Sequence, residues 1–122
     1  MERPVLANHH YSPAAASRIA AFHPDVIAKV QDAVQKEKVV VVGMAWNPFC
    51  KKACKNLEKA GIQHSYIEFG SYASAWKERL AIKMWSGWPT FPQVFVNGVL
   101  IGGNSDLEAA LADGSLKQLL GQ

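Results

Sequence analysis

Two thiols and one amide set the chemistry open to this 122-residue chain. The cysteines are Cys50 and Cys54, and Asn47 stands just ahead of them in Trp46-Asn47-Pro48-Phe49-Cys50. That segment lies between a β-branched run and a stretch of good helix formers, so it reads as a strand-to-helix junction. Such a junction gathers free backbone N–H groups and the positive end of a helix, which suit a thiolate or a carboxylate. Cys50 falls in the first helical turn and is the candidate catalytic thiol, with the helix dipole, Lys51 and Lys52 expected to favour its thiolate. The competing reading is an inert buried side chain, because free cysteine is among the most buried residue types. Asn47 has an amide, which cannot attack a disulfide.

Cys54 is one helical turn beyond Cys50 on the same face and is the candidate resolving thiol. Helical Cα atoms four residues apart lie about 6 Å from each other, inside the disulfide window, but their Cβ vectors are poorly directed for the bond. The histidines add little: His9 and His10 are near the N-terminus, and His23 and His64 are far apart in the expected fold. Four-ligand zinc sites show denser spacing, so no metal site is expected.

The elements that must position these residues follow from periodicity. Residues 1–22 have no clear period and contain Asn8, Ser12 and Pro13, so they read as an arm, partly ordered at most, ahead of a domain over 23–122. Val26, Ile27, Val30 and Val34 predict a helix from His23-Pro24-Asp25 to about Glu37. Val39-Val40-Val41-Val42 predicts a strand buried on both faces. A helix from Pro48 to Ala60 should end at Gly61, followed by a strand over Ile62–Phe69 and a helix over Tyr72–Met84. Asn97-Gly98 between Val94–Val96 and Val99–Ile101 predicts a hairpin. Leu107–Ala112, capped by Asn104-Ser105-Asp106, and a tail at Ser115–Leu120 close the chain. Trp85 and Trp88 read as core and loop-packing residues. The order predicts an α/β domain, a small mixed sheet with helices on both faces.

Composition excludes several classes. A formal charge of +3 is too small and too evenly spread for nucleic acid. No apolar run approaches the roughly 20 residues that span a bilayer, and no signal-peptide core follows Met1. Two cysteines make no extracellular disulfide framework, which favours a reducing, cytoplasmic setting. The Ala-rich stretch Pro13–Phe22 with its one arginine also fits a mitochondrial presequence on composition alone. A monomer is expected.

Three segments together resemble the glutaredoxin family over about His23–Leu120. Trp46-Asn47-Pro48-Phe49-Cys50-Lys51-Lys52-Ala53 looks like the family's Cys-Pro-Tyr-Cys-x-x-Ala stretch. Trp88-Pro89-Thr90-Phe91-Pro92-Gln93 is close to the Trp-Pro-Thr-x-Pro-Gln segment of monothiol members, and it is the most specific match. Ile101-Gly102-Gly103-Asn104-Ser105-Asp106 is similar to the Gly-Gly-Cys-x-Asp stretch that holds glutathione. The resemblance implies a thioredoxin-like fold with a four-stranded mixed sheet and a cis Pro92 facing the cysteine site.

It also implies a glutathione site. Arg79 and Lys83, four residues apart on one helical face, would take the glycine carboxylate. The backbone of Thr90, Phe91 and Pro92 would pair with the cysteine of the tripeptide. Gly103, Asn104, Ser105 and Asp106 would hold the γ-glutamyl end, and Phe49 would flank it. Asn47 replaces the nucleophilic cysteine, Met44 replaces a lysine that binds glutathione, and Asn104 replaces a frequent cysteine. An iron–sulfur cluster ligated by the missing thiolate is therefore not expected. Two functions follow from the resemblance. One is a glutathione-dependent thiol–disulfide oxidoreductase acting through Cys50 on glutathionylated or disulfide proteins. The other is a redox-inactive glutathione- or peptide-binding adaptor or sensor that retains the groove.

Overall fold

A computed structural model describes residues 2–121; the ends of the expected arm and domain, Met1 and Gln122, lie outside the described residues. A 3-10 turn (Asn8–His10) leads into α1 (Pro13–Ala20), then α2 (Pro24–Lys36), β1 (Val39–Gly43), α3 (Pro48–Lys59), β2 (Ser65–Glu68) and α4 (Trp76–Ser86). The hairpin β3 (Gln93–Val96) and β4 (Val99–Gly102) follows, then α5 (Asn104–Asp113) and α6 (Ser115–Leu119). The sheet order is β2-β1-β3-β4, with β1 parallel to β2 and antiparallel to β3, and β3 antiparallel to β4.

The valine run makes β1 the centre of both cores, because alternate side chains of a strand point to opposite faces. Val40 and Val42 pack with Val26, Val30, Ile82 and Phe95 beneath α2 and α4. Val39 and Val41 pack with Ala53, Leu57, Leu107 and Leu116 beneath α3, α5 and α6. The mixed sheet covered on both faces is the expected architecture.

Several boundaries differ for identifiable reasons. The arm contains a helix: Ser12 accepts the Ala15 N–H at 3.1 Å and Pro13 occupies the first turn, so α1 forms, although it buries no residue. The second strand starts at Ser65 rather than Ile62. Gly61 is left-handed (φ 72°) and the Ile62 N–H closes back on the Leu57 carbonyl at 3.0 Å, so Ile62 belongs to the end of α3. The fourth helix starts at Trp76 rather than Tyr72, because Ser71 and Ser74 bond each other's loop and Ala75 is left-handed. Helix α5 starts at Asn104 rather than Leu107, with Gly103 as the N-cap residue, and of the expected capping segment Asp106 accepts the Gly103 N–H at 3.0 Å.

Candidate functional site

The β1–α3 junction is built around Asn47. Its side-chain oxygen accepts the N–H groups of Phe49 at 2.9 Å and Cys50 at 3.2 Å, and Pro48 supplies the first helical residue. Asparagine is among the strongest N-caps, and it satisfies two donors that a helix otherwise leaves free. The donors that would stabilise an anion at the helix start are thus taken by a neutral amide of the same chain. Trp46, immediately before it, is exposed and left-handed (φ 65°).

Cys50 is only 1% exposed. A Cβ placed on Gly43 would lie 2.8 Å from its sulfur and 3.0 Å from the Tyr66 hydroxyl, so the thiol packs down onto β1 beside Tyr66. Burial pushes the Cys50 thiol pKa up; a backbone hydrogen bond at Met44 opposes this and the Glu68 charge reinforces it. The expectation that dipole and lysines favour its thiolate is therefore overturned: desolvation wins. Cys54 is half-buried, and its pKa is also raised, first by burial, then by Cys50 and Glu58.

All ten residues expected to hold glutathione line one groove of about 620 Å³. Phe49 comes from α3, Arg79 and Lys83 from α4, and Thr90, Phe91 and Pro92 from the loop before β3, where the Phe91–Pro92 peptide is cis. Gly103, Asn104, Ser105 and Asp106 supply the far wall. Lys83 carries its ammonium 5.7 Å from the centre of the Phe91 ring. Asp106 folds back so that its carboxylate accepts the Gly103 N–H at 3.0 Å. One end of the groove is thus cationic, and the other joins a carboxylate to a helix N-terminus.

Two of the ten are also bound within the protein. Arg79 is buried, and its Nη1 donates to the carbonyls of Phe69 and Ser74, fixing the loop ahead of α4. Asn104 is buried as well: it accepts from Asn56 at 3.1 Å and donates to Glu108 at 2.6 Å, joining α3 to α5.

Met44 and Asn47, placed by the resemblance at a glutathione-binding and at the nucleophile position, also line the groove, and sequence reasoning missed Tyr72, Trp88 and Pro89 as lining residues. Pro89 and Trp88 belong to the quoted Trp-Pro-Thr motif, which was the available signal; Tyr72 had none. Trp88, expected only to pack a loop, exposes a face to the groove, and its carbonyl accepts from the side chain of fully buried Gln93 at 3.1 Å. Neither thiol lines this groove. Cys50 and Cys54 line a separate cleft of about 360 Å³ with Trp46, Tyr66 and Glu68.

A four-stranded mixed sheet with a cis proline beside a strand-to-helix junction defines a protein of thioredoxin-like fold. The sequence profile of the glutaredoxin family matches residues 39–101. The chain is 50% identical over 95 residues to a glutaredoxin-like protein of Dictyostelium discoideum, covering 78% of this chain and 77% of that one. It is 35% identical over 96 residues to a probable monothiol glutaredoxin 2 of Rickettsia prowazekii, covering 75% and 87%. A crystal structure of a buckwheat glutaredoxin–glutathione complex superposes with a TM-score of 0.71 at 26% identity, covering 80% and 88%. The chain belongs to the glutaredoxin family.

Proposed function

We propose that the protein binds glutathione in the groove between α4, the cis-proline loop and the start of α5, and that Asn47 has turned the nucleophile position into a helix cap. The observation that carries this reading is the separation of the two chemistries. Every residue expected to recognise the tripeptide lines one groove, while both thiols line another cleft. The charges suit the ligand. Lys83 and the remaining donors of Arg79 meet the glycine carboxylate, the α5 N-terminus meets the γ-glutamyl carboxylate, and Asp106 meets the ammonium. A cluster held by a thiolate does not fit this groove, because its helix end presents an amide oxygen already engaged by two N–H groups.

Titration calorimetry with reduced glutathione tests the reading. Wild type binds, Lys83→Ala and Asp106→Ala each weaken binding about tenfold, as expected for losing one charged contact, and Cys50→Ser binds as wild type does. No binding by the wild type overturns it.

A second reading is favoured by the position of Cys50 in the first turn of α3, directly behind the cap. Here the protein is a slow glutathione-dependent thiol–disulfide oxidoreductase. The Cys50 thiolate attacks the glutathione sulfur of a glutathionylated protein, whose own thiolate leaves, and a mixed disulfide forms on Cys50. A second glutathione thiolate then attacks that glutathione sulfur, releasing Cys50 and glutathione disulfide. Mass spectrometry after exposure to glutathione disulfide decides: an adduct on Cys50, with turnover lost in Cys50→Ser, supports it, and an unmodified Cys50 removes it.

A further inference from the structure

The small cleft between α3 and β2 holds none of the ten residues expected to bind glutathione, yet it gathers every described sulfur near the junction. Cys50 and Cys54 line it from one face of α3, and Met44, which also borders the groove, lines it from the β1–α3 turn. Both cysteines are free, and both lie within the regular helix. We propose that this cleft is a copper(I) site in which the Cys50 and Cys54 thiolates ligate one ion and the Met44 sulfur stands as a third, weaker donor.

Spacing decides between the ion and a disulfide. Side chains four residues apart on a helix have Cβ atoms about 5–6 Å apart, whereas a disulfide needs about 3.5–4.5 Å. Two metal–sulfur bonds of about 2.3 Å allow the sulfurs to stand up to about 4.6 Å apart, so an ion spans a gap that an S–S bond does not. Donor type and number then select the metal. Among the described residues no three His, Cys, Asp or Glu side chains converge to hold an ion, which leaves tetrahedral zinc without its ligands. Thiolate and thioether donors select copper(I), which accepts two-coordinate geometry.

Charge balances as well. Each thiol gives up its proton to solvent as its sulfur bonds the ion, so two thiols and one monovalent cation become a bis-thiolate complex with one negative charge. No electron moves. Glu58 and Glu68 in the cleft wall attract the incoming cation, and Lys51 and Lys55 in the same wall offset the charge of the complex. Tyr66 holds its hydroxyl on Glu68 at 3.0 Å, which fixes the wall facing the thiols.

Anaerobic competition for copper(I), supplied as its bathocuproine disulfonate complex, tests this on the full chain. Wild type withdraws one copper per chain, and Cys54→Ser and Cys50→Ser both lose that capacity. Met44→Leu still takes up copper but yields it at a lower chelator concentration. Circular dichroism establishes that the variants are folded; should Cys50→Ser fail to fold, the half-buried Cys54→Ser carries the test alone. Failure of wild type to compete, or equal uptake by wild type and Cys54→Ser, overturns the proposal, and an unchanged Met44→Leu removes Met44 from the site. Because glutathione binding is read separately in the groove, either result leaves that reading standing.

Discussion

Asn47 occupies the junction between β1 and α3, and its environment explains what an amide does there. Its oxygen caps α3 through two N–H groups. Pro48 marked the start of the helix in sequence as a favoured first residue, whereas the capping by Asn47 emerges only from the structure. What the residue types do not reveal is which way the next thiol faces. Asn47→Cys should release both N–H groups to a thiolate and place a nucleophile at the groove. Its thiol should alkylate with iodoacetamide at neutral pH far faster than Cys50 in wild type, and glutathione-dependent disulfide reduction should appear in the coupled assay. An inert Asn47→Cys would show that Met44 or the groove also blocks turnover. Cys50 carries its own pH signature. Its folded pKa is raised above the ordinary 9.0 by burial. The folded state therefore favours the protonated thiol, and that stability is full below about pH 9 and is lost as pH rises through the folded value. Urea midpoints of wild type should fall more steeply than those of Cys50→Ala above pH 9; parallel curves would contradict the shift.

At the scale of elements, the site depends on how closely α3 sits on β1. Gly43 is the contact point, since an added Cβ would lie 2.8 Å from both the Cys50 sulfur and the Tyr66 ring. Gly43→Ala should lower stability by about 1–3 kcal/mol through overpacking, read as a reduced urea midpoint with unchanged slope. An unchanged midpoint would mean that Tyr66, on the edge strand β2, swings aside freely. Gly102 plays the matching part at α5: its φ of 119° and the Asp106 carboxylate folded over it leave no room for a side chain. Outside the arm, where the 3-10 turn and α1 were not expected, element existence was legible because each element carries its own signal, the four valines of β1 or the Asn97-Gly98 turn. Boundaries were less so, because they are set by backbone closures such as Ile62 on Leu57, which take residues of strand-like type into a helix end. The pairing of Arg79 with the Phe69 and Ser74 carbonyls is likewise tertiary, and no spacing announces it.

At the scale of the molecule, the sheet divides the protein into two cores, and β1 contributes alternate valines to each. The groove opens at the end of that sheet where β1, the cis-proline loop and α5 meet, and the motifs there were legible because three separated segments converge on one place. The second cleft was not, because Tyr66 and Glu68 join the cysteines only through the β1–β2 pairing. Among the described residues no helix is long and apolar enough to cross a membrane. The arm stands apart from both cores. Its helix α1 forms from a local cap and an alanine run, yet buries nothing, and the first residues of the hydrophobic core come from α2. Helix formation there is a local event with little consequence for the domain. Deleting residues 2–21 should therefore shift the melting temperature by less than about 3 °C, and glutathione binding should be unchanged. The measurement is a thermal melt followed by circular dichroism, with calorimetric titration of both chains. A larger loss of stability would place α1 against the domain, on the exposed side of α2, and would make the arm a structural part of the fold.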